Sequence, residues 1–502
     1  MAPSGRGRAL LYAGATAALL VSFLWLHARQ GLSRPIPWPD EASLLWQAIA
    51  VQRETTLFAP QLRDYAHVLW MPPGYMWVTG LAFKLSGFSL EIARWLSALF
   101  VAGGAVALAA VFWRTRHPFA SLLLLAVFLW SPIAVLVGNV ARMEALVFAL
   151  ACSVLLLLQR GWLWGGLALA ALVPLVHPVG LFFAAGTGAY AIARAWRDPG
   201  LLRPRRAEWV ALALALAAWL AYAAYVAQHW AVFLADMRLN VGYKAERAGG
   251  PAAVLRRLAN PGLALPSLVV GAAGLGSALG RRLASSLLLV LAAPLVVVSF
   301  LLHGWPYDFY PALLALLASV LLLDFASDLA ERAGVAARPR RALALALGLG
   351  LAGLGHFAFR HARLFLFSIE QSQVSPEATA GVPFVTPEDR RILAERLRQL
   401  RGTPERPVTI LFLPMAEALL FEDLDGDARR LVFPLLRREP ADVVILHESR
   451  HFPALTRRNH ELWSASWQAV PVPIERWPVL HERDGTERWR VFDRSPQARA
   501  SP

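Results

Sequence analysis

Apolar stretches of about 20 residues recur from Ala9 to Phe359 and are separated by short polar segments. Each stretch is long enough to cross a hydrocarbon core of about 30 Å. The pattern predicts about eleven transmembrane helices. They are expected near 9–27, 92–113, 118–137, 141–158, 162–176, 179–196, 208–229, 263–280, 283–302, 309–329 and 341–359. Residues 1–360 are therefore interpreted as a polytopic α-helical membrane domain.

The segment Pro73–Gly87 is apolar but short, and Lys84 interrupts it. If it crossed the membrane, Arg114 and Arg116 would lie outside, against the tendency of basic residues to stay in the cytoplasm. We therefore predict a helix on the outer membrane surface, within a first outer loop (28–91) that carries juxtamembrane helices.

Residues 361–502 contain no stretch long enough to cross a membrane. Pro387–Arg401 has helical spacing, and Val408–Leu413 and Asp442–Leu446 are rich in strand-forming residues. This pattern predicts a small, soluble α/β domain. The basic segment Met1–Arg8 is expected to lie in the cytoplasm. An odd number of crossings then places the α/β domain outside the cytoplasm.

The net charge of +15 belongs to the membrane part of the chain. Residues 1–360 carry 29 Lys and Arg against 14 Asp and Glu, whereas residues 361–502 carry 20 of each kind. Basic loops normally set membrane topology, so the excess does not indicate a nucleic-acid partner. Cys152 is the only cysteine, which excludes an intrachain disulfide and a cysteine-based metal site.

Ionisable residues at a membrane edge are costly, so each one is a candidate for chemistry. Asp40 and Glu41 follow the first predicted span, where they could start a helix or supply a general base. Arg142 and Glu144 begin another span, either as an ion pair or with Glu144 orienting an acceptor and Arg142 binding the substrate or its phosphate. The sequence requires no cofactor. A divalent cation held by Asp40 and Glu144 stays an open alternative.

A second group consists of basic and tyrosine residues assigned to the outer face. Its members are Arg63, His67, His177, Lys244, Arg247, Tyr307 and Tyr310. His177 lies between two spans, where a packed turn residue is the simpler interpretation. The predicted external loop Trp230–Pro261 is basic although it lies on the outer side. Such a loop needs an anionic partner, for which lipid headgroups or a lipid-linked phosphate would serve.

The order of these parts resembles a known family. An outer DE pair is followed by PPGYMWVTGLAFKLSGFSLEIARWLSALF, then by ARMEAL, by HPVG between two spans, and by YDFYP before a late helix. Over roughly Ala9–Ala330, this order is similar to the GT-C-fold, polyprenyl-phosphate-sugar-dependent glycosyltransferases. The bacterial branch of the protein mannosyltransferase family, which includes the lipid A aminoarabinose transferase, is the expected relative. The resemblance implies a multi-pass protein of the bacterial inner membrane.

The resemblance also implies roles for individual residues. Asp40 would be the catalytic carboxylate with Glu41 beside it, and Glu144 would be the second acidic position. His177 would stand where many relatives have a lysine that meets the donor phosphate, and Tyr310 would match the late tyrosine.

One departure concerns the position before the double proline, which is Lys or His in many relatives and is Trp70-Met71 here. Phosphate binding at that position would then pass to His67, Arg63 or Lys244.

The expected reaction is an inverting transfer of a sugar from a polyprenyl-phosphate donor to a lipid, protein or glycan acceptor. Membrane lipids are the other expected partners. The main alternative is a transporter or flippase for a lipid-linked or anionic substrate. That alternative predicts charged residues at mid-membrane in paired, interrupted helices, whereas the candidates here gather at one rim. A non-catalytic membrane scaffold that displays the α/β domain is the third interpretation.

Overall fold

The computed structural model describes most of the first half of the chain and most of the C-terminal domain. The described residues are 5–30, 39–59, 62, 69–248, 385–400, 402–424, 426–432, 441–453, 456–457, 459–461 and 473–493, with 252, 309, 313, 316–317, 319–320, 323–324, 327, 331 and 334. The predicted spans 263–280, 283–302 and 341–359 lie outside them.

The described residues are mostly helical. The α-helices are α1 (Gly5–Gln30), α2 (Pro39–Glu54), α3 (Gly74–Ser86), α4 (Leu90–Phe112), α5 (Pro118–Leu129), α6 (Pro132–Asn139), α7 (Met143–Gln159), α8 (Leu163–Leu172), α9 (Gly180–Arg197), α10 (Arg206–Gln228), α11 (Trp230–Ala248) and α12 (Pro387–Leu397). Short 3₁₀ helices occupy Val173–Leu175, Pro199–Leu202, Met415–Leu424 and Ile474–Arg476.

Three helices in the described residues are long and apolar enough to cross a membrane. They are the segment Arg6–Arg29 of α1, α4 and α10. A fourth span results if α5 and α6, which meet at an angle of 63°, are counted as one. The predicted number of about eleven crossings is therefore not confirmed.

Two of the predicted spans are interrupted where the sequence predicts one continuous helix. The span at 118–137 breaks between α5 and α6, where Pro132 begins the second helix, because proline lacks an amide hydrogen and disfavours helix in the residue before it. The span at 162–176 is the short α8 followed by a 3₁₀ turn that contains Pro174. The predicted loop Trp230–Pro261 begins with a helix, since α11 covers Trp230–Ala248.

The chain divides into two compact units. Unit 1 contains Met1–Arg29, Ser97–Gly138 and Met143–Leu366. Unit 2 contains Gln30–Leu96, Asn139–Arg142 and Phe367–Pro502. The first outer loop therefore belongs to the same unit as the C-terminal residues, although the sequence suggested that it is part of the membrane domain.

Unit 1 is a helical body in which α8 packs against α7, α9 and α10. Phe128, Phe148 and Phe309 form an aromatic cluster with ring centroids 5.5–5.8 Å apart. On α10, Leu214 and Leu220 stay 65% and 61% exposed. A row of large apolar side chains on the outside of a helix matches a hydrocarbon surrounding rather than water.

Unit 2 contains a five-stranded sheet in the order β2-β1-β3-β5-β4. The strands are β1 (Val408–Leu413), β2 (Arg429–Val432), β3 (Val443–Ser449), β4 (Val479–Arg483) and β5 (Glu487–Asp493). Strand β1 runs parallel to β2 and β3, whereas β5 is antiparallel to β3 and β4. With α12, this sheet confirms a small α/β domain at the C-terminus.

The apolar face of α2 joins the core of that sheet domain. Leu45, Trp46 and Ile49 belong to one buried cluster with Phe412 and Leu419. Helix α2 packs against α3 and against the 3₁₀ helix Met415–Leu424. The predicted surface segment Pro73–Gly87 is helical as α3.

At the crossing of α2 and α3, a Cβ on Gly80 would lie 2.7 Å from the carbonyl oxygen of Ala48. Only glycine allows so close an approach of the two helices.

Candidate functional site

The DE pair lies in the first turn of α2, which begins at Pro39. Proline suits the first position of a helix because its missing amide hydrogen would have no partner there. Acidic residues in the first turn also interact favourably with the positive end of the helix dipole. The structure therefore confirms that Pro39-Asp40 starts a helix. The side chain of Asp40 lies outside the described residues.

Glu41 is fully buried and is held by three donors. Arg94 on α4 donates from Nε to Oε1 at 2.9 Å and from Nη2 to Oε2 at 2.7 Å. The amide of Ala141 donates to Oε1 at 2.8 Å. The arginine is itself only 1% exposed. This two-pronged pairing is the strongest geometry that a guanidinium and a carboxylate adopt.

The Glu41–Arg94 pair ties three separate segments of unit 2 together. These are the start of α2, the first turns of α4 and the short segment Asn139–Arg142. Taking two charges out of water is costly, so a buried pair depends on good geometry and on full hydrogen bonding. The amide of Ala141 adds to the two guanidinium bonds, which makes the start of α2 a rigid point.

Arg142 belongs to the same unit, and only 5% of its surface is exposed. It directly follows Ala141, whose amide bonds to Glu41, while Asp40 directly precedes Glu41. The hydrogen bond between Ala141 and Glu41 therefore brings the backbone of Asp40, the predicted catalytic carboxylate, close to that of Arg142, a predicted phosphate-binding residue.

Two further candidates lie in unit 1. Glu144 is 4% exposed and stands in the first turn of α7. His177 is 3% exposed and lies in the turn before α9, where its Nδ1 accepts the amide of Val179 at 3.1 Å. This geometry fits the interpretation of His177 as a packed turn residue. Its contact with a donor phosphate stays a prediction.

The close packing of the HPVG turn requires a glycine at position 180. A Cβ on Gly180 would lie 2.3 Å from the backbone nitrogen of Pro174, so the turn closes onto the preceding 3₁₀ helix. His177 is positioned by that closure.

Several predicted site residues lie outside the described residues. These are Arg63, His67, Tyr307 and Tyr310. Lys244 and Arg247 lie on α11, of which only the backbone is described at those positions. Within the described part of the chain, no group of three or more His, Cys, Asp or Glu side chains is arranged to hold a metal ion.

Arg94 is the residue that the sequence interpretation missed. Its signal is present in SLEIARWLSALF, where one arginine interrupts an apolar helix. An arginine within such an apolar helix is expected to have a carboxylate partner, and in the structure that partner is Glu41.

A second buried charge cluster lies in the sheet domain. His447 on β3 is held between two glutamates, with Nε2 2.7 Å from Glu487 and Nδ1 3.2 Å from Glu417. The indole of Trp489 stacks on the imidazole at 4.2 Å and donates to Glu417 at 2.6 Å. Burial acts against protonation, but the two carboxylates outweigh it and raise the pKa of His447 to about 9.

No family model and no curated protein matches the chain. Among solved structures, ArnT from Cupriavidus metallidurans in the apo state is similar to this chain. The two are 15% identical, the match covers 97% of this chain and 98% of that chain, and the TM-score is 0.48.

Proposed function

We propose that the protein is a membrane glycosyltransferase that moves a sugar from a polyprenyl-phosphate donor to a lipid, protein or glycan acceptor on the outer side of the bacterial inner membrane. The transfer inverts the configuration at the anomeric carbon. Asp40 is the general base of this proposal.

The chemistry needs few groups. A hydroxyl or amine of the acceptor attacks the anomeric carbon, its proton passes to Asp40, and the bond from that carbon to the phosphate oxygen breaks. The polyprenyl phosphate leaves with the electron pair as an anion, so no general acid is required, unlike in the two-carboxylate glycosidases. A cationic group near the departing phosphate lowers the barrier further.

The observation that supports the proposal is the rigid start of α2. Asp40 is the chain neighbour of a glutamate that accepts three hydrogen bonds from Arg94 and Ala141. A catalytic group is more effective on an element that its neighbours hold in place, and the bonds from Arg94 and Ala141 to Glu41 hold this helix terminus. Arg142 supplies a cation in the same unit.

The remaining candidates complete the proposal. Glu144 orients the acceptor in this proposal. The donor phosphate would be bound by residues of the basic and tyrosine group. That group consists of Arg63, His67, His177, Lys244, Arg247, Tyr307 and Tyr310.

The test uses the purified full-length protein in lipid nanodiscs with a panel of radiolabelled polyprenyl-phosphate sugars. We expect donor consumption with at least one sugar, and a loss of about 10²–10⁴-fold in the Asp40→Asn variant because the proton has no acceptor. The matched control is Glu54→Gln, an exposed carboxylate at the other end of the same helix, which should leave the rate unchanged. The thermal unfolding of all three proteins is compared.

Full activity of Asp40→Asn would refute the assignment of the base. Transport of an intact lipid-linked sugar across proteoliposomes without donor consumption would instead support the transporter interpretation. Inhibition by a chelator, reversed by added cation, would assign the divalent ion.

A further inference from the structure

An apolar cavity of about 630 Å³ lies between α8 and α9 in unit 1. We call it the α8–α9 groove. Its walls include Leu163, Trp164, Leu167, Gly188, Ile192 and Trp196, and none of the described residues that line it is charged. Its volume is within the range of about 300–1,000 Å³ that ligand sites occupy in proteins.

The groove is open to the surroundings of the protein rather than sealed inside it. Ile192 is 69% exposed and Trp196 is 87% exposed. A Cβ built on Gly188 meets no atom within 4 Å, so the glycine leaves a hollow in the face of α9. An open, concave and wholly apolar surface fits a flexible hydrocarbon chain.

One end of the groove meets a group of arginines, which we call the arginine cluster. Its members are Arg194, Arg203, Arg205 and Arg206. Trp196 and Pro199 line the groove at this end and stand between Arg194 and the other three along the chain. The guanidinium of Arg205 lies 5.2 Å from the ring centre of Trp162, which directly precedes Leu163 of the groove.

The acidic residues near this end are already engaged. Glu208 is 3% exposed, and its Oε1 accepts the amides of Trp164 and Gly165 while its Oε2 accepts the amide of Arg205. Asp198 accepts the amide of Gly200. Both carboxylates bond to backbone groups at helix starts, and the four arginines outnumber them, so an excess of positive charge is left at the mouth of the groove.

We propose that the α8–α9 groove binds one acyl chain of an anionic phospholipid and that the arginine cluster binds its phosphate. The guanidinium fork matches phosphate oxygens, and basic pockets between membrane helices on the cytoplasmic side suit anionic headgroups. The distribution of charge in the sequence assigns this cluster to the cytoplasmic side. A zwitterionic lipid carries an ammonium group that opposes the cluster, so the site discriminates between headgroups by charge. The proposal does not depend on the transferase activity.

The test measures lipids that stay bound to the full-length protein by native mass spectrometry, after reconstitution with phosphatidylglycerol or with phosphatidylcholine of the same chains. We expect retention of phosphatidylglycerol at least tenfold above phosphatidylcholine. Each arginine changed to glutamine should weaken that preference about fivefold. The triple variant Arg203→Gln, Arg205→Gln, Arg206→Gln should therefore abolish it.

A second variant tests the groove itself. Gly188→Leu fills the hollow and should displace the bound lipid, whereas Gly103→Leu on α4, where a Cβ also meets no atom within 4 Å, should retain it. Both variants replace an exposed or half-buried helical glycine, so both should fold.

Equal retention of the two lipids would overturn the proposal. Equal retention of phosphatidylglycerol by the Gly188→Leu and Gly103→Leu variants would also overturn it. The lipid would then bind through the charge of the arginines alone, and the groove would have no part in binding.

Discussion

Unit 2 contains two fully buried charge clusters that differ in their cation. The pair of Glu41 and Arg94 uses a guanidinium, which keeps its charge at every pH at which proteins are studied. The cluster of Glu417, His447 and Glu487 uses an imidazole, whose pKa of about 9 lies within reach of ordinary buffers. The two clusters therefore differ in whether their cation can lose its charge in ordinary buffers.

The two clusters also differ in what they join. Arg94 and Ala141 stand 53 and 100 residues beyond Glu41, so that tie holds together three distant segments at the start of α2. His447 bonds to Glu487 on the neighbouring strand and to Glu417 on the 3₁₀ helix that also packs against α2. The region beside the proposed catalytic residue is thus anchored through a guanidinium, whereas the sheet domain contains an imidazole whose charge depends on pH.

The largest expected effect is that of Arg94→Ala. It leaves the Glu41 carboxylate buried without its guanidinium partner, and it should lower the free energy of unfolding by about 3–5 kcal/mol. Denaturant unfolding of the detergent-solubilised protein measures this. The double variant Glu41→Met, Arg94→Met removes both charges and should recover most of the loss. A loss below 1 kcal/mol for Arg94→Ala alone would contradict the view of this pair as an anchor.

The next effect is the pH dependence of the sheet domain. Because folding raises the pKa of His447 from its usual 6.5 to about 9, its contribution is fully present below pH 6.5 and is lost as the pH rises through 9. The change should approach 3 kcal/mol, at about 1.4 kcal/mol per pKa unit. Hydrogen exchange of the β3 and β5 amides between pH 6 and pH 9.5, corrected for intrinsic rates, reports it.

The groups that face His447 from the surrounding elements are Glu417, Glu487 and Trp489. His447→Gln should flatten the pH profile of those amides. The control is His460→Gln, which removes a partly exposed histidine paired with Glu448 and should leave the slope intact. An unchanged slope in His447→Gln would show that another group titrates, and the comparison of the two clusters would fail.

The smallest effect concerns the cap of α12. Thr386 Oγ1 accepts the amide of Asp389 at 3.0 Å, and the Asp389 carboxylate accepts the amide of Thr386 at 2.8 Å. Thr386→Ala should cost about 1 kcal/mol, and Thr386→Ser should restore it. Glu388→Gln breaks only an exposed pair with Arg391 and should produce no measurable change in unfolding. A larger loss of unfolding free energy in Glu388→Gln than in Thr386→Ala would show that the exposed ion pair, and not the cap, stabilises the start of α12.

Local patterns predicted the elements that local physics controls. Pro39-Asp40 starts a helix because proline and acidic residues suit its first turn. The helix at Pro387–Leu397 and the strands β1 and β3 follow from spacing and from strand-forming residues. The span predicted at 118–137 is bent by 63° where α6 begins at Pro132, because hydropathy averaged over a window does not register one missing amide hydrogen.

The candidate site was predicted in part. The residues identified Asp40 and Glu41 as a pair, and the resemblance implied the catalytic role for Asp40 with Glu41 beside it, but nothing in the sequence showed which partner Glu41 has. In the structure Glu41 is committed to Arg94 and Ala141, which gives it a positioning function, while the catalytic role of Asp40 stays a prediction.

The sequence by itself therefore determined the class of the protein, which is a set of apolar helices followed by an α/β domain. Only the tertiary structure decided that the first outer loop packs with that domain and that Arg94 pairs with Glu41. The physical reason is that hydropathy shows which residues leave water, whereas a buried charge finds its partner through contacts between segments far apart in the chain.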